Sequence, residues 1–236
     1  MLIPSQIWGE DIEIDESDIK ANLQELKENI AHLKVKIIAV TKYFGRKSII
    51  AGYEAGIRDF AESRAKEAIE KIDSLPEDVK ENSTFHFIGH LQSNKVEKVV
   101  RYFDVIHSVD SLKLAEEISK KACSINKREK ILLQVNNAEE EQKSGFSKEL
   151  LKEVFDKIYK FPNVEVVGLM NMAPLNANDD ELEKLFSDLR LFKEELESFY
   201  DVSLPELSMG MSNDYKIAIK NGATMIRIGR KLFSKV

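Results

Sequence analysis

Apolar positions recur along this chain in two alternating rhythms. Ile19, Leu23, Leu26, Ile30 and Leu33 fall at helical spacing, so an amphipathic helix is the first predicted element. Val35-Lys36-Ile37-Ile38-Ala39-Val40 follows, a compact β-branched run with the pattern of a strand buried on both faces. The same alternation then repeats. Further strands are predicted near 57–60, 84–88, 104–109, 130–136, 164–170, 205–208 and 224–228. Helices are predicted between them, near 47–55, 63–73, 94–101, 111–122, 147–160, 179–199 and 213–221. The helix over 179–199 is the most regular: Leu182, Leu185, Phe186, Leu189, Phe192, Leu196 and Phe199 keep the helical period, and Asn178 with Glu181 forms a capping-box pattern. Eight strands alternating with helices predict an α/β fold, a single-domain (β/α)8 TIM barrel with an extra N-terminal helix before the first strand. Alternation does not by itself decide closure, and an open doubly wound sheet is the competing architecture. The expected division is a tail over residues 1–16 and a barrel over 17–236, with no Gly/Ser/Pro-rich linker between them.

Composition narrows the class. Lys and Arg total 35 against 41 Asp and Glu, a net charge of −6, and no basic run is long enough to offset it. An acidic surface repels phosphate backbones, so nucleic acid is not an expected partner. No apolar run approaches the ~18 residues of a membrane span. Met1 to Ser17 carries acids and no basic leader, unlike a secretory signal, so a cytoplasmic location is expected. The single cysteine, Cys123, has no partner for an intramolecular disulfide and falls near the apolar stripe of Leu114, Ala115 and Ile118, where a small core residue is expected.

In such a barrel the chemistry comes from the C-terminal ends of the strands. The first strand ends in Thr41-Lys42, the second in Ala61-Glu62-Ser63-Arg64 and the third in Gly89-His90. Lys42 follows apolar residues, so its stem should emerge from the barrel interior. Desolvation would raise its neutral-amine fraction, the state that attacks an aldehyde to form a Schiff base. The competing reading is a lysine that reaches solvent or pairs with Glu62. In Ser208-Met209-Gly210-Met211-Ser212-Asn213-Asp214, Gly210 permits an unusual turn, Ser212 can cap a helix starting near Asn213, and the two serine hydroxyls with free N–H groups would form a phosphate cup. An ordinary strand-to-helix turn would explain the same residues. Gly229 after the eighth strand lets a second backbone segment approach that point, as barrels often bind phosphate between these two loops. Arg227, inside the eighth strand, needs an acceptor, either a ligand atom or a carboxylate such as Glu62. His86 and His90 lie on a strand rather than a helix that would aim both rings at one ion, so no metal is expected. His107 reads as a hydrogen-bonded core histidine. No Gly-x-Ser-x-Gly elbow, P-loop or Gly-x-Gly-x-x-Gly occurs.

A set of motifs carries a family resemblance. Ile38-Ala39-Val40-Thr41-Lys42, Phe85-His86-Phe87-Ile88-Gly89-His90-Leu91-Gln92-Ser93-Asn94-Lys95, Ile106-His107-Ser108-Val109-Asp110-Ser111, Leu133-Gln134-Val135-Asn136, Lys143-Ser144-Gly145-Phe146, Gly168-Leu169-Met170, the Ser208–Asp214 loop and Gly222–Gly229 resemble the pyridoxal phosphate homeostasis proteins. The resemblance runs from about residue 17 to the C-terminus. It implies a barrel similar to the N-terminal domain of alanine racemase, with pyridoxal 5′-phosphate at its mouth as a Schiff base on Lys42. It implies that Ser208, Ser212 and the backbone around Gly210, Gly229 and Arg230 hold the phosphate, with Arg227 at the pyridine nitrogen. Ala61-Glu62-Ser63 replaces the family's usual Gly-Glu-Asn, the proline common after the lysine is absent, and Phe233-Ser234 replaces Phe-Gly. The implied function is a carrier or regulator in intracellular vitamin B6 and amino-acid homeostasis, not an enzyme, with apo-enzymes as recipients. Racemases of this barrel type add a β-rich domain that supplies a catalytic tyrosine and much of a dimer interface. The chain runs seven residues past Gly229, so a monomer with one open cofactor face is expected. Two enzyme alternatives share these residues: a pyridoxal phosphate-dependent amino-acid racemase or lyase, and a cofactor-free Schiff-base aldolase.

Overall fold

The computed structural model describes residues 15–30, 33–138 and 144–235. The strands are β1 (Lys36–Val40), β2 (Asp59–Glu62), β3 (Thr84–Phe87), β4 (Val105–Val109), β5 (Glu129–Gln134), β6 (Val164–Met170), β7 (Glu206–Met211) and β8 (Met225–Ile228). They pair in chain order, all parallel, and β8 closes on β1 with Ala39 opposite Ile228. The closed barrel is therefore the architecture, and the open sheet is excluded. Around it run α1 (Glu16–Ile30), α2 (Arg46–Glu54), α3 (Ala65–Asp73), α4 (Glu77–Glu81), α5 (Val96–Tyr102), α6 (Leu112–Ser124), α7 (Lys148–Tyr159), α8 (Asp179–Tyr200), α9 (Tyr215–Lys220) and α10 (Arg230–Phe233).

Strand periodicity sorts the core into two shells. Ile38, Val40, Ala61, Val105, Leu132, Val167 and Met225 belong to a small inner cluster. The alternate residues, among them Ala39, Phe60, Phe85, Phe87, Ile106 and Ile131, pack outward with the buried faces of the helices. Bulky aromatics lie in this outer shell: Phe60 and Phe85, paired in register, have ring centroids 6.4 Å apart.

The capping box of α8 forms as its sequence predicts, with Glu181 N donating to Asn178 Oδ1 at 3.0 Å and Asn178 N to Glu181 Oε2 at 2.9 Å. Before the barrel, α1 lies against the C-terminal helix: Asn22 Nδ2 donates to Ser234 O at 2.8 Å, and Lys231 Nζ lies 2.8 Å from Glu25 Oε1.

Four expectations change. Two short helices, α4 and α10, add to the predicted set, because four or five residues are too few to show a period. Leu33 lies beyond the end of α1 and is exposed, and Phe199 is 78% exposed on the last turn of α8. Cys123 is exposed; its neighbour Ala122 takes the buried position, in helical phase with Leu114, Ala115 and Ile118. The expected tail lies almost entirely outside the described residues. Among the described residues no helix is long and apolar enough to cross a membrane.

Candidate functional site

The C-terminal rim of the barrel brings Lys42 beside the loops that follow β7 and β8. Lys42 lies two residues past β1 and is half-buried rather than enclosed. Its Nζ sits 5.0 Å from the ring centroid of Tyr43, and it makes no ion pair among the described residues. The alternative pairing with Glu62 does not occur. Glu62, 2% exposed, accepts from Thr41 Oγ1 at 2.7 Å and pairs with Lys71 Nζ at 2.5 Å. Lys71 also donates to Thr41 O at 3.0 Å, so a second lysine from α3 satisfies the buried carboxylate and leaves Lys42 unpaired with it. No sequence period marks Lys71 for that task.

Barrel closure sets the β7 and β8 loops next to Lys42. A Cβ at Gly229 would lie 3.4 Å from Val40 O, so the turn after β8 rests against the end of β1. Gly210 adopts φ +89°, in the left-handed region, and a Cβ there would sit 2.6 Å from Ala218 Cβ and 3.0 Å from Tyr215 Cα. A glycine is needed on both counts, for the turn and for the approach of α9. Asp214 then accepts from Met211 N and closes the turn. Burial pushes the Asp214 carboxyl up from its ordinary range, opposed by that hydrogen bond and by Arg227.

One predicted role is corrected here, and one residue lies deeper than expected. Ser212 does not cap α9, whose N-cap is Asp214 with no side-chain cap bond; its hydroxyl instead accepts from Lys231 N at 3.4 Å and ties the β7 loop to the β8 loop. Ser208, expected beside it in the phosphate cup, is set back from the rim. It lies within β7, fully buried, and its hydroxyl meets Arg227 Nη1 at 2.7 Å and His107 Nδ1 at 2.9 Å. The β7 strand continues to Met211, so Ser208 sits deep in the barrel while Ser212 stands at the rim. Arg230 is exposed at the start of α10.

Arg227 points into the barrel without a carboxylate partner among the described residues, and the ion pair with Glu62 is absent. Its guanidinium donates to Ser208 O at 2.7 Å, Ser208 Oγ at 2.7 Å and Asn171 O at 2.8 Å. Burial lowers its pKa to about 10, with Asp214 opposing, and it stays charged at neutral pH. Asn171, at the strand-six end that the barrel reading marks for chemistry, directly follows β6 and joins this group through its carbonyl. Its Oδ1 is buried with no hydrogen-bond partner among the described residues.

His86 and His107 are both fully buried in the barrel, whereas His90 is exposed outside it and lies 3.4 Å from Asp110. His86 and His90 therefore share no site. In the Lys143-Ser144-Gly145-Phe146 motif, Lys143 lies outside the described residues. Ser144 O accepts from Gln134 Nε2 at 2.6 Å, and Phe146 bridges to Val135.

The chain is similar in sequence and fold to known proteins. Residues 14–235 match the family described as alanine racemase, N-terminal domain. A pyridoxal phosphate homeostasis protein of Synechocystis is 43% identical over 199 residues, 84% of this chain and 90% of that protein. One from Aquifex aeolicus is 39% identical over 200 residues, 85% of this chain and 86% of that protein. The structure of PipY from Synechococcus elongatus with PLP bound superposes with a TM-score of 0.83 at 37% identity, covering 92% of this chain and all of that one. The chain thus belongs to the pyridoxal phosphate homeostasis proteins, a family built on the alanine racemase N-terminal-domain barrel.

Proposed function

We propose that this protein binds pyridoxal 5′-phosphate reversibly at the barrel mouth. In this reading it serves as a carrier or regulator in intracellular vitamin B6 and amino-acid homeostasis rather than as an enzyme. One observation carries the proposal: Lys42, an amine with no ion pair among the described residues, lies on the same rim as the joined β7 and β8 loops. The names of the relatives and the PLP-bound neighbour support it.

The residues present suit the group. Lys42 offers the amine for the aldehyde. Ser212, the backbone of Gly210 and Gly229, and Arg230 offer donors and positive charge for the phosphate. Arg227 would form the floor for the ring, and Asn171 Oδ1, without a hydrogen-bond partner among the described residues, leaves an acceptor for a polar ligand. When bound, the cofactor supplies an aldehyde that condenses with a primary amine and a ring that withdraws electrons. Arg227 can only donate, so against the ring nitrogen it favours the unprotonated ring, a weak electron sink. That state suits a carrier, which must not react with passing amino acids.

In the same reading the protein is a cytoplasmic monomer and hands its cofactor to apo-enzymes. The test is Lys42→Ala with borohydride reduction and mass spectrometry. The variant should lose the trapped adduct and keep the wild-type melting temperature, since a half-buried side chain with no ion pair among the described residues contributes little packing. A retained adduct on another lysine sinks the assignment. Turnover of any amino acid by the loaded wild-type protein at ordinary enzyme rates sinks the carrier reading.

A further inference from the structure

A row of polar side chains crosses the barrel interior, where this fold usually stacks branched apolar residues. His86 Nε2 lies 3.0 Å from Asp59 Oδ1, and His86 Nδ1 lies 2.8 Å from His107 Nε2. His107 Nδ1 lies 2.9 Å from Ser208 Oγ, which accepts from Arg227 Nη1 at 2.7 Å. Asp59 opens β2 at the N-terminal end of the barrel, and Arg227 sits toward the other end, on β8. Both histidines and Ser208 are fully buried, so the row runs out of bulk water.

The two ends set its direction. Arg227 can only donate, and the Asp59 carboxylate can only accept. Facing Asp59, His86 carries its proton on Nε2 and leaves Nδ1 as an acceptor. His107 then carries its proton on Nε2 too, and its Nδ1 accepts from the Ser208 hydroxyl. The Ser208 lone pairs remain for Arg227. Every donor in the row meets an acceptor. In the reverse arrangement both His107 and Arg227 would donate to Ser208 Oγ, the Ser208 hydrogen would have no acceptor in the row, and Asp59 would need a proton.

We propose that His86 and His107 are positioning residues for Arg227: neutral, and both in the Nε2–H form, they hold the Ser208 hydroxyl as an acceptor and orient the guanidinium from the far end of the barrel. Burial, with the Arg227 charge adding, keeps His107 well below its ordinary pKa, which accords with a neutral ring. Lys36 is the other cation near the row, 4.0 Å from Asp59 and 3.9 Å from Glu206. The tautomers stand on this row alone; their bearing on a pyridine nitrogen rests on the proposed function.

Nitrogen NMR of the full chain, free of cofactor and at neutral pH, reads the tautomers directly. Both rings should show an unprotonated Nδ1 and a protonated Nε2. A protonated Nδ1 in either ring, alone or as imidazolium, overturns the proposal. The second measurement is the rotation rate of the Arg227 guanidinium in His107→Leu and His107→Gln. Leucine removes the acceptor for Ser208 and should speed rotation about tenfold, the factor that ~1.4 kcal/mol of hydrogen bonding carries. Glutamine keeps one acceptor and one donor and should stay near wild type. No acceleration in the leucine variant, or equal acceleration in both, overturns the positioning role. Should the leucine variant fail to fold, the wild-type tautomers still decide. Absence of the Lys42 adduct from wild-type protein would refute the cofactor reading and leave these spectra unchanged, so the two failures are distinct.

Discussion

Gly210→Ala separates the phosphate rim from the lysine, and its cost follows from two features of one residue. The backbone there has φ +89°, where an L side chain costs roughly 1–2 kcal/mol. The new Cβ would also meet Ala218 Cβ at 2.6 Å and Tyr215 Cα at 3.0 Å, both on α9. Overpacking of that kind costs about 1–3 kcal/mol, because the buried Ala218 and Tyr215 anchor α9 and must shift. The sum is about 2–5 kcal/mol. For a chain of this size that lowers the melting temperature by roughly 4–20 °C. Relief of the clash moves α9 away and draws the Ser212 turn with it. Affinity for pyridoxal 5′-phosphate should therefore fall by about tenfold or more, an energy of ~1.4 kcal/mol. Affinity for pyridoxal, which lacks the phosphate, should change little. A double-mutant cycle with Ala218→Gly apportions the cost: removing the opposing methyl should return about 1 kcal/mol of the steric part and none of the backbone part. Calorimetry and equilibrium titration of the four proteins suffice. A melting temperature within about 2 °C of wild type would refute the strain. Equal loss of affinity for both ligands would refute the phosphate rim.

Two further outcomes are expected. Glu129, fully buried at the start of β5, lies 2.7 Å from Lys127 Nζ, yet burial pushes its pKa from 4.5 up to about 7. The folded state therefore holds this proton more tightly than the unfolded chain, so stability is fully present below the unfolded value and is lost as pH rises from about 4.5 to about 7. Glu129→Gln should remove that slope and stabilise the protein above neutrality by roughly 3 kcal/mol at most, while Lys127 keeps the carbonyls of Val100 and Phe103. Denaturant melts between about pH 4.5 and 7 check this; an unchanged slope would refute it. Light scattering should give the mass of a monomer at every concentration, and a concentration-independent dimer mass would contradict that expectation.

Much of this protein is legible in its sequence, for physical reasons. Alternation of β-branched runs with helical periods fixes where elements lie, because side-chain direction repeats every 2.0 residues in a strand and every 3.6 in a helix. Lys42, the Gly210 turn and Gly229 could be placed at strand ends because position along a strand determines which rim a residue reaches. Local pattern fails where phase, depth or a distant partner decides. Cys123 sits beside the buried stripe in sequence yet faces water, one helical step out of phase. Ser208 and Ser212 read as a pair, but β7 runs on to Met211 and separates them in depth. Lys71 satisfies Glu62 from an outer helix, and Asp59, His86, His107, Ser208 and Arg227 come from five strands that only the closed barrel brings into one row. The sequence alone determined the elements, their order and the amine at the rim. Closure of β8 onto β1 decided the partners, since hydrogen bonds between buried groups depend on distances that no spacing along the chain contains.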